Sequence, residues 1–364
     1  MPYEDIIVTN RHERRLLKGH LWAFSNELKE IRKDIPIGSI VRLVREFDMK
    51  PFALAFYHPN SLIAARIITR DVNKEIGEAF FRSRIERAAG RRALLLQQRN
   101  AVRIIHGESD FLPGLVVEKY NDILTFQITS AGMELHKELI VDLLKSIFAP
   151  ISIIEKNKSH LRKLEGLQEL ESVLYGSETD TVIHDAAGTK FAVSLLKGQK
   201  TGFYLDQMDN RVAFGKYLQQ GDRVLDLFSN EGGFAINAAS RGASVLAVDA
   251  SDEALRVAAE NAELNGVAEK VKTLKADCFD FLKESTDKFD AVILDPPSLL
   301  RSKKELNTAK KAYFNLHKNA MKATMQEGIL ATASCSHHFT RELFLETIRD
   351  AAEAAGRAVT ILEE

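Results

Sequence analysis

The sequence predicts an α/β protein whose C-terminal part is a doubly wound parallel sheet, preceded by a small β-barrel and an α+β middle domain. Three observations carry this reading. From about residue 200, apolar strands alternate with helices of ten or more residues, the rhythm of a parallel sheet with crossover helices. Residues 1–72 hold short apolar runs broken by Pro and Gly, the spacing of a small barrel. The composition is globular, with 364 residues, 45% hydrophobic and 28% charged, which excludes disorder and leaves room for two or three domains. The boundaries expected are 1–72, 73–190 and 191–364.

The elements follow in order. In the barrel, residues 5–8, 39–44, 52–57 and 62–68 read as strands, punctuated by Pro36, Gly38, Pro51, Pro59 and Asn60. Residues 12–22 form a basic stretch that ends at the only Trp, Trp22. Residues 76–99 read as one long helix carrying Arg82, Arg84, Arg87, Arg91, Arg92 and Arg99, which is either a phosphate-binding face or a solvated one. The middle domain shows strands at 115–118, 123–128 and 151–155, a helix near 132–148, and a hairpin from Thr181 to Ser194 turning at Gly188. The last part has strands starting at Arg223, Ser244, Val271, Ala291 and Gly328, with helices near 233–241, 252–265, 303–326 and 341–355.

Charge is uneven although the net is −1. Residues 1–105 carry 20 Lys and Arg against 12 Asp and Glu, so +8, and the remainder carries −9. A basic N-terminal third suggests a polyanionic partner such as nucleic acid. Two cysteines, Cys278 and Cys335, are too few for a disulfide scaffold or a four-cysteine zinc site. Neither a leader nor an apolar run of membrane-spanning length is visible, and the expected compartment is the reducing cytoplasm, with no membrane partner.

The chemistry gathers in the last part. Asp226-Leu-Phe-Ser-Asn-Glu-Gly-Gly-Phe234 lies between a strand and a helix, where open parallel sheets bind ligands. Asp249 ends the next strand and is placed to accept from ribose hydroxyls. Asp277 ends the third strand, where an adenine amino group would be read. The turn is not G-x-G-x-x-G, which weakens a dehydrogenase reading. Asp295-Pro-Pro-Ser298 ends the fourth strand; its prolines fix an extended backbone and hold Asp295 at the same edge. The fifth strand ends Ala333-Ser-Cys-Ser-His-His338. Cys335 stands among polar residues opposite Asp295 and reads as a nucleophile, helped by His337 or His338. Cys278, beside Asp277, reads first as a small buried hydrophobe. The adjacent histidines do not make a zinc motif. Residues 301–322 carry seven Lys and Arg against one Glu, a basic run able to grip phosphates near the base.

Together these residues resemble class I S-adenosylmethionine-dependent methyltransferases. More narrowly, the chain resembles the bacterial large-subunit ribosomal RNA 5-methylcytidine methyltransferases with an N-terminal PUA domain. The opening motif Glu13-Arg-Arg-Leu-Leu-Lys-Gly-His-Leu-Trp-Ala-Phe-Ser-Asn-Glu-Leu28 resembles that family's barrel. Gly107-Glu-Ser-Asp-Phe-Leu-Pro-Gly-Leu-Val-Val-Glu118 resembles the start of its middle domain. The most specific stretch is Gly198-Gln-Lys-Thr-Gly-Phe-Tyr-Leu-Asp-Gln207 with Arg211, followed by the motifs at 226–234, 249, 277, 295–297 and 334–336. The resemblance implies a Rossmann-like methyltransferase domain behind a PUA-like one. It implies S-adenosyl-L-methionine as cofactor, held by Gln199, Asp226, Ser229, Asn230, Gly232, Gly233, Phe234, Asp249, Ala250, Asp277, Cys278 and Asp295. Within that set, Asn230 and the glycines hold the methionine part, Asp249 the ribose and Asp277 the adenine. Asp295 would also grip the target base, and Cys335 would be the nucleophile; no metal is implied. Ser229-Asn-Glu231 and Ser298 depart from the family's usual residues and leave target choice open. The implied partner is ribosomal RNA with a single-stranded or flipped-out target base, and a homodimer is left open. Three rivals stand beside this reading: the same fold acting on another RNA atom such as a guanine nitrogen, with Cys335 idle; a non-catalytic RNA-binding assembly factor; and a methyltransferase for protein or a small molecule, which the basic barrel disfavours.

Overall fold

The structure is a computed structural model that describes residues 3–196, 203–300, 305–336 and 338–364. It divides into two compact units. Residues 1–183 and 193–205 form the first, and residues 184–192 and 206–364 form the second. Arg301, Lys303, Lys304, His337, Gln199 and the other residues of 198–202 lie outside the described residues.

The first unit opens with a five-stranded mixed sheet. It comprises β1 (Glu4–Val8), β2 (Trp22–Ala23), β3 (Ile40–Arg45), β4 (Pro51–Tyr57) and β5 (Ala65–Thr69), ordered β1-β3-β4-β5-β2. Helix α1 (Asn10–Leu17) sits in the basic stretch expected near its start. Alternation is visible in β3, where Val41 and Leu43 are buried while Arg42 reaches Asp5 of β1 at 2.6 Å. Residues 62–64, expected as strand, precede β5 instead.

Behind it stand α2 (Glu78–Arg91) and α3 (Ala93–Gln98), not one helix: Arg92 leaves helical geometry and binds Asp110 at 2.5 Å. Several arginines of this segment have partners within the fold. Arg82 pairs with Glu78, Arg91 and Arg92 with Asp110, and Arg84 covers the Phe80 and Phe111 rings. A second sheet follows: β6 (Ala101–His106), β7 (Leu115–Tyr120), β8 (Ile123–Ile128), β9 (Ser152–Asn157) and β10 (Leu170–Tyr175), in the order β10-β9-β8-β7-β6. Helices α4 (Ala131–Glu134), α5 (Lys137–Phe148) and α6 (His160–Leu164) accompany it. The two sheets share one core, in which Leu54, Phe56 and Ile68 of the barrel pack with Phe81, Ile104, Phe126 and Met133. Gly132 permits this contact, since a Cβ there would lie 2.2 Å from Phe56 Cγ. Arg66 reinforces it, donating to Glu108 at 3.1 Å and to buried Glu165 at 2.9 Å, while Trp22 Nε1 donates to Glu108 at 2.7 Å.

The hairpin β11 (Asp180–His184) and β12 (Lys190–Ser194) turns at Gly188, as expected. The division between the units falls inside it. Residues 184–192, around its turn, belong to the second unit, within which Ala192 N–H donates to Asn261 Oδ1 at 2.8 Å and Lys190 N–H to Asn265 Oδ1 at 2.8 Å.

The second unit begins with α7 (Met208–Phe214). Its five strands are β13 (Arg223–Leu227), β14 (Ser244–Asp249), β15 (Val271–Lys275), β16 (Phe289–Leu294) and β17 (Thr324–Thr332). They pair in parallel in the order β15-β14-β13-β16-β17, the doubly wound sheet expected. Helices α8 (Gly233–Ser240), α9 (Asp252–Leu264), α10 (Cys278–Glu284), α11 (Leu306–Ala323) and α12 (Arg341–Ala355) flank it. The chain leaves β13 in one direction and returns to β16 on its other side. That reversal opens a crevice at the carboxyl ends of β13 and β16.

Candidate active site

The turn after β13 has an unusual backbone. Phe228 at φ 60°, Asn230 at φ 48° and Gly232 at φ 79° are all left-handed, and the first two carry side chains that disfavour it. Hydrogen bonds to β14 and α10 help to hold the turn there. Phe228 N–H donates to Cys278 Sγ at 3.3 Å, Asn230 N–H to Asp249 Oδ2 at 2.9 Å, and Ser229 N–H to the Val248 carbonyl at 3.2 Å. The tip of β14 and the start of α10 thus shape the first turn.

Asp226 is buried at the end of β13 and accepts from Ala235 N–H at 2.9 Å, which ties the strand to the first turn of α8. Burial pushes its carboxyl up to about 7, opposed by that N–H and by Arg211 and assisted by the negative charge of Asp295 and Asp249. Asp226 therefore supports the turn from below. Arg211 of α7 lies buried between the Phe191 and Phe234 rings, 5.9 Å from each. A Cβ on Gly233 would come 2.4 Å from Arg211 Cζ, so any other residue here would have to displace the Arg211 guanidinium. The Gly232-Gly233 pair thus serves packing as well as any ligand.

Asp249 is half-buried and braces two amides, Asn230 N–H through Oδ2 and Ser251 N–H through Oδ1, each at 2.9 Å. A carboxylate has about four lone-pair sites, so acceptor capacity remains for a diol. Ala250 beside it is exposed. Asp277 does not end a strand: β15 stops at Lys275 and Asp277 is the N-cap of α10, its Oδ1 accepting from Phe279 N–H at 2.8 Å and Asp280 N–H at 3.1 Å. The N-cap pattern Asp-x-x-Asp at 277–280 was the signal for this missed helix. Cys278 is 2% exposed, and burial pushes its thiol up to about 12, so it is an inert packing group whose Sγ also reaches the Val248 carbonyl.

Across the crevice, Asp295 follows β16 and is half-buried. Ala333 N–H donates to the Leu294 carbonyl at 3.0 Å, extending the β16–β17 pairing and bringing the two strand ends level. Cys335 is exposed, and its Sγ lies 3.9 Å from the Pro296 carbonyl oxygen. The thiol and the Asp-Pro-Pro element therefore meet at one edge. Lys310, from the basic run, is instead paired with Glu346 of α12 at 2.8 Å.

Ser229 gives the test of whether a ligand fits. Its hydroxyl is buried, with no hydrogen-bond partner among the described residues, at the turn facing Asp249. An unsatisfied buried hydroxyl costs free energy unless something bonds it. Acidic groups at the ends of neighbouring strands and this orphan hydroxyl suit a nucleoside bearing an amino-acid tail. Among the described residues, no group of three or more His, Cys, Asp or Glu side chains is arranged to hold a metal ion. No helix there is long and apolar enough to cross a membrane.

Comparison with known proteins gives the family and the fold. The PUA-like domain family matches residues 6–70, and the family described as conserved hypothetical protein 95 matches residues 210–331. The ribosomal RNA large subunit methyltransferase I of Aeromonas hydrophila is 38% identical over 99% of this chain and 92% of its own length. The chain belongs to the ribosomal RNA large subunit methyltransferase I family. The Tolumonas auensis member is 37% identical over 96% of the chain and 90% of its own length. Among solved structures, a protein assigned as a methyltransferase and crystallised with SAH superposes with TM-score 0.81 at 21% identity, covering 96% of this chain and 90% of its own. The methyltransferase fold of the second unit and the PUA-like domain are those expected from the sequence.

Proposed function

We propose that this protein methylates carbon 5 of a cytidine in large-subunit ribosomal RNA, in the cytoplasm, through a covalent adduct between Cys335 and carbon 6. Family membership makes the chain an S-adenosyl-L-methionine-dependent methyltransferase of large-subunit ribosomal RNA. The observation that carries the finer reading is the exposed Cys335 thiol, 3.9 Å from the Pro296 carbonyl at the edge that also presents Asp295. A cysteine with no chemical role has little reason to be exposed there, while Cys278 shows what a packing cysteine looks like.

When bound, S-adenosyl-L-methionine supplies an electrophilic methyl group. Asp249 would hold the ribose hydroxyls, the α10 start at Asp277 and Cys278 the adenine, and Ser229, Asn230 and the glycine turn the amino-acid tail. Carbon 5 of cytosine is a weak nucleophile. Addition of the Cys335 thiolate to carbon 6 forms a carbon–sulfur bond and moves the ring electron pair to carbon 5, which then takes the methyl group. Loss of the carbon 5 proton to a base re-forms the double bond and expels the thiolate. Asp295 hydrogen-bonds the cytosine N3/N4 edge, where charge develops. The base must leave its stack for this attack. The test is methylation of large-subunit RNA from cells lacking the gene, followed by nucleoside chromatography. The expected product is 5-methylcytidine; a methylated guanosine instead overturns the reading.

A further inference from the structure

Four hydroxyls sit behind the Cys335 loop and take no part in the chemistry above. Tyr313 of α11 is fully buried, and its hydroxyl lies 2.8 Å from Ser334 Oγ and 3.2 Å from Ser336 Oγ, the two residues that flank the cysteine. Ser336 Oγ lies 3.2 Å from Ser298 Oγ, and Ser298 donates to the Leu300 carbonyl at 3.2 Å. Ser336 N–H donates to Ser334 Oγ at 3.3 Å. One proton arrangement satisfies every member: Ser334 donates to Tyr313, Tyr313 to Ser336, Ser336 to Ser298, and Ser298 to Leu300. The Tyr313 ring is itself fixed, stacked on Phe339 at 4.6 Å and edge-on to Phe344 at 5.9 Å.

The consequence is directional. Both serine hydroxyls meet the Tyr313 hydroxyl, and the turn that Ser334 Oγ closes by accepting from Ser336 N–H keeps the two together. Drawing both serines inward onto one buried phenol turns the intervening thiol outward, which matches a buried Ser336 beside an exposed Cys335. The same network joins the cysteine loop to the Asp295-Pro-Pro-Ser298 loop through the Ser336–Ser298 contact. It therefore sets the spacing between the two groups that grip the target base.

We infer that Tyr313 is a positioning residue for Cys335: its hydroxyl clamps Ser334 and Ser336 so that the thiol faces the substrate at a fixed distance from Asp295. The inference rests on the covalent reading proposed above. Tyr313→Phe keeps the stacked ring and deletes only the clamp. Misplacing a reacting group by about 1 Å costs roughly 100-fold in rate. On RNA containing 5-fluorocytidine, Tyr313→Phe should form the covalent adduct about 10- to 100-fold more slowly than the wild type. Its Kd for S-adenosyl-L-methionine should be unchanged, and kcat should fall while KM for RNA holds. The pH midpoint of Cys335 alkylation should stay in place, because the clamp orients the thiol without charging it. Ser336→Ala breaks the same network from the other end and should show the same drop, which covers the case of a poorly folded Tyr313→Phe. Adduct formation by Tyr313→Phe and Ser336→Ala at the wild-type rate, with Cys335→Ala inert, overturns this inference alone. A wild type that forms no adduct, with Cys335→Ala fully active, overturns the covalent reading and this inference together.

Discussion

Replacing Asp249 with Ala perturbs two things at once, and the structure says by how much. The carboxylate accepts from Asn230 N–H and Ser251 N–H, each at 2.9 Å. Hydrogen bonds to a charged acceptor contribute about 1.5–3 kcal/mol each, and half-burial places these at the lower end, so the loss is about 3 kcal/mol. In a unit of this size that lowers Tm by roughly 6–12 °C. The Asn230 amide belongs to the strained turn at 228–232, so the turn loosens as well. The ribose hydroxyls also lose their acceptor, which weakens S-adenosyl-L-methionine by about 2–3 kcal/mol, or roughly 30- to 150-fold. Asp249→Asn retains one carbonyl oxygen and should fall between the two. Calorimetric titration and thermal melting check both numbers. Unchanged cofactor affinity in a destabilised Asp249→Ala would refute the ribose role and leave only the brace; an unchanged Tm would refute the brace.

Other outcomes follow from named groups. Burial holds the His317 imidazole down to about 4 against an ordinary 6.5, so the folded state binds fewer protons than the unfolded one between those values. Stability should therefore fall as pH drops from 6.5 towards 4, and in melts at pH 5 and 7.5 the His317→Gln protein should lose less on acidification than the wild type. Iodoacetamide at pH 8 should label Cys335 rapidly and Cys278 only after unfolding, read by peptide mass spectrometry, because the Cys278 thiol is buried and pushed up to about 12. Arg11, Arg14 and Lys18 of the barrel are exposed, so reversing them to Glu should weaken RNA binding and flatten its log–log salt slope by about 0.7–0.9 per lost phosphate contact; an identical slope would make this a solvated surface only.

Much of the second unit was legible because its signals are local. Apolar strands at 223–227 and 244–249 are long enough to show buried parallel pairing, and a glycine turn followed by strand-end acids marks the ligand edge. The crevice residues Asp226, Asp249, Asp295 and Cys335 were found this way. What escaped has both local and distant causes. Helix α10 was hidden because Asp277 looks like a strand end until its side chain caps two amides. Helix α2 stops at Arg91 because Arg92 is drawn to Asp110, and nothing nearby announces that. Residues 101–106 and 170–175 were not read as strands; they are the two edge strands of the second sheet, each paired with a single neighbour. Nothing in the sequence singles out Tyr313, and only the fold brings its hydroxyl to the serines around Cys335. The Arg-rich helix was open between a phosphate face and a solvated one, and the fold pairs Arg82 with Glu78 on the same helix and Arg91 with Asp110.

The covalent step is open to one direct measurement. Large-subunit RNA fragments carrying 5-fluorocytidine are incubated with S-adenosyl-L-methionine and the wild-type, Cys335→Ala or Cys278→Ala protein, then separated under denaturing conditions. Fluorine cannot leave carbon 5 as a proton does, so the carbon–sulfur bond to carbon 6 persists. The account predicts a denaturant-resistant protein–RNA band for the wild type and for Cys278→Ala. It predicts none for Cys335→Ala, whose turnover should also fall by several orders of magnitude while it still binds the cofactor. Near wild-type methylation by Cys335→Ala, with no adduct in any lane, would contradict it and point to direct transfer onto a ring nitrogen.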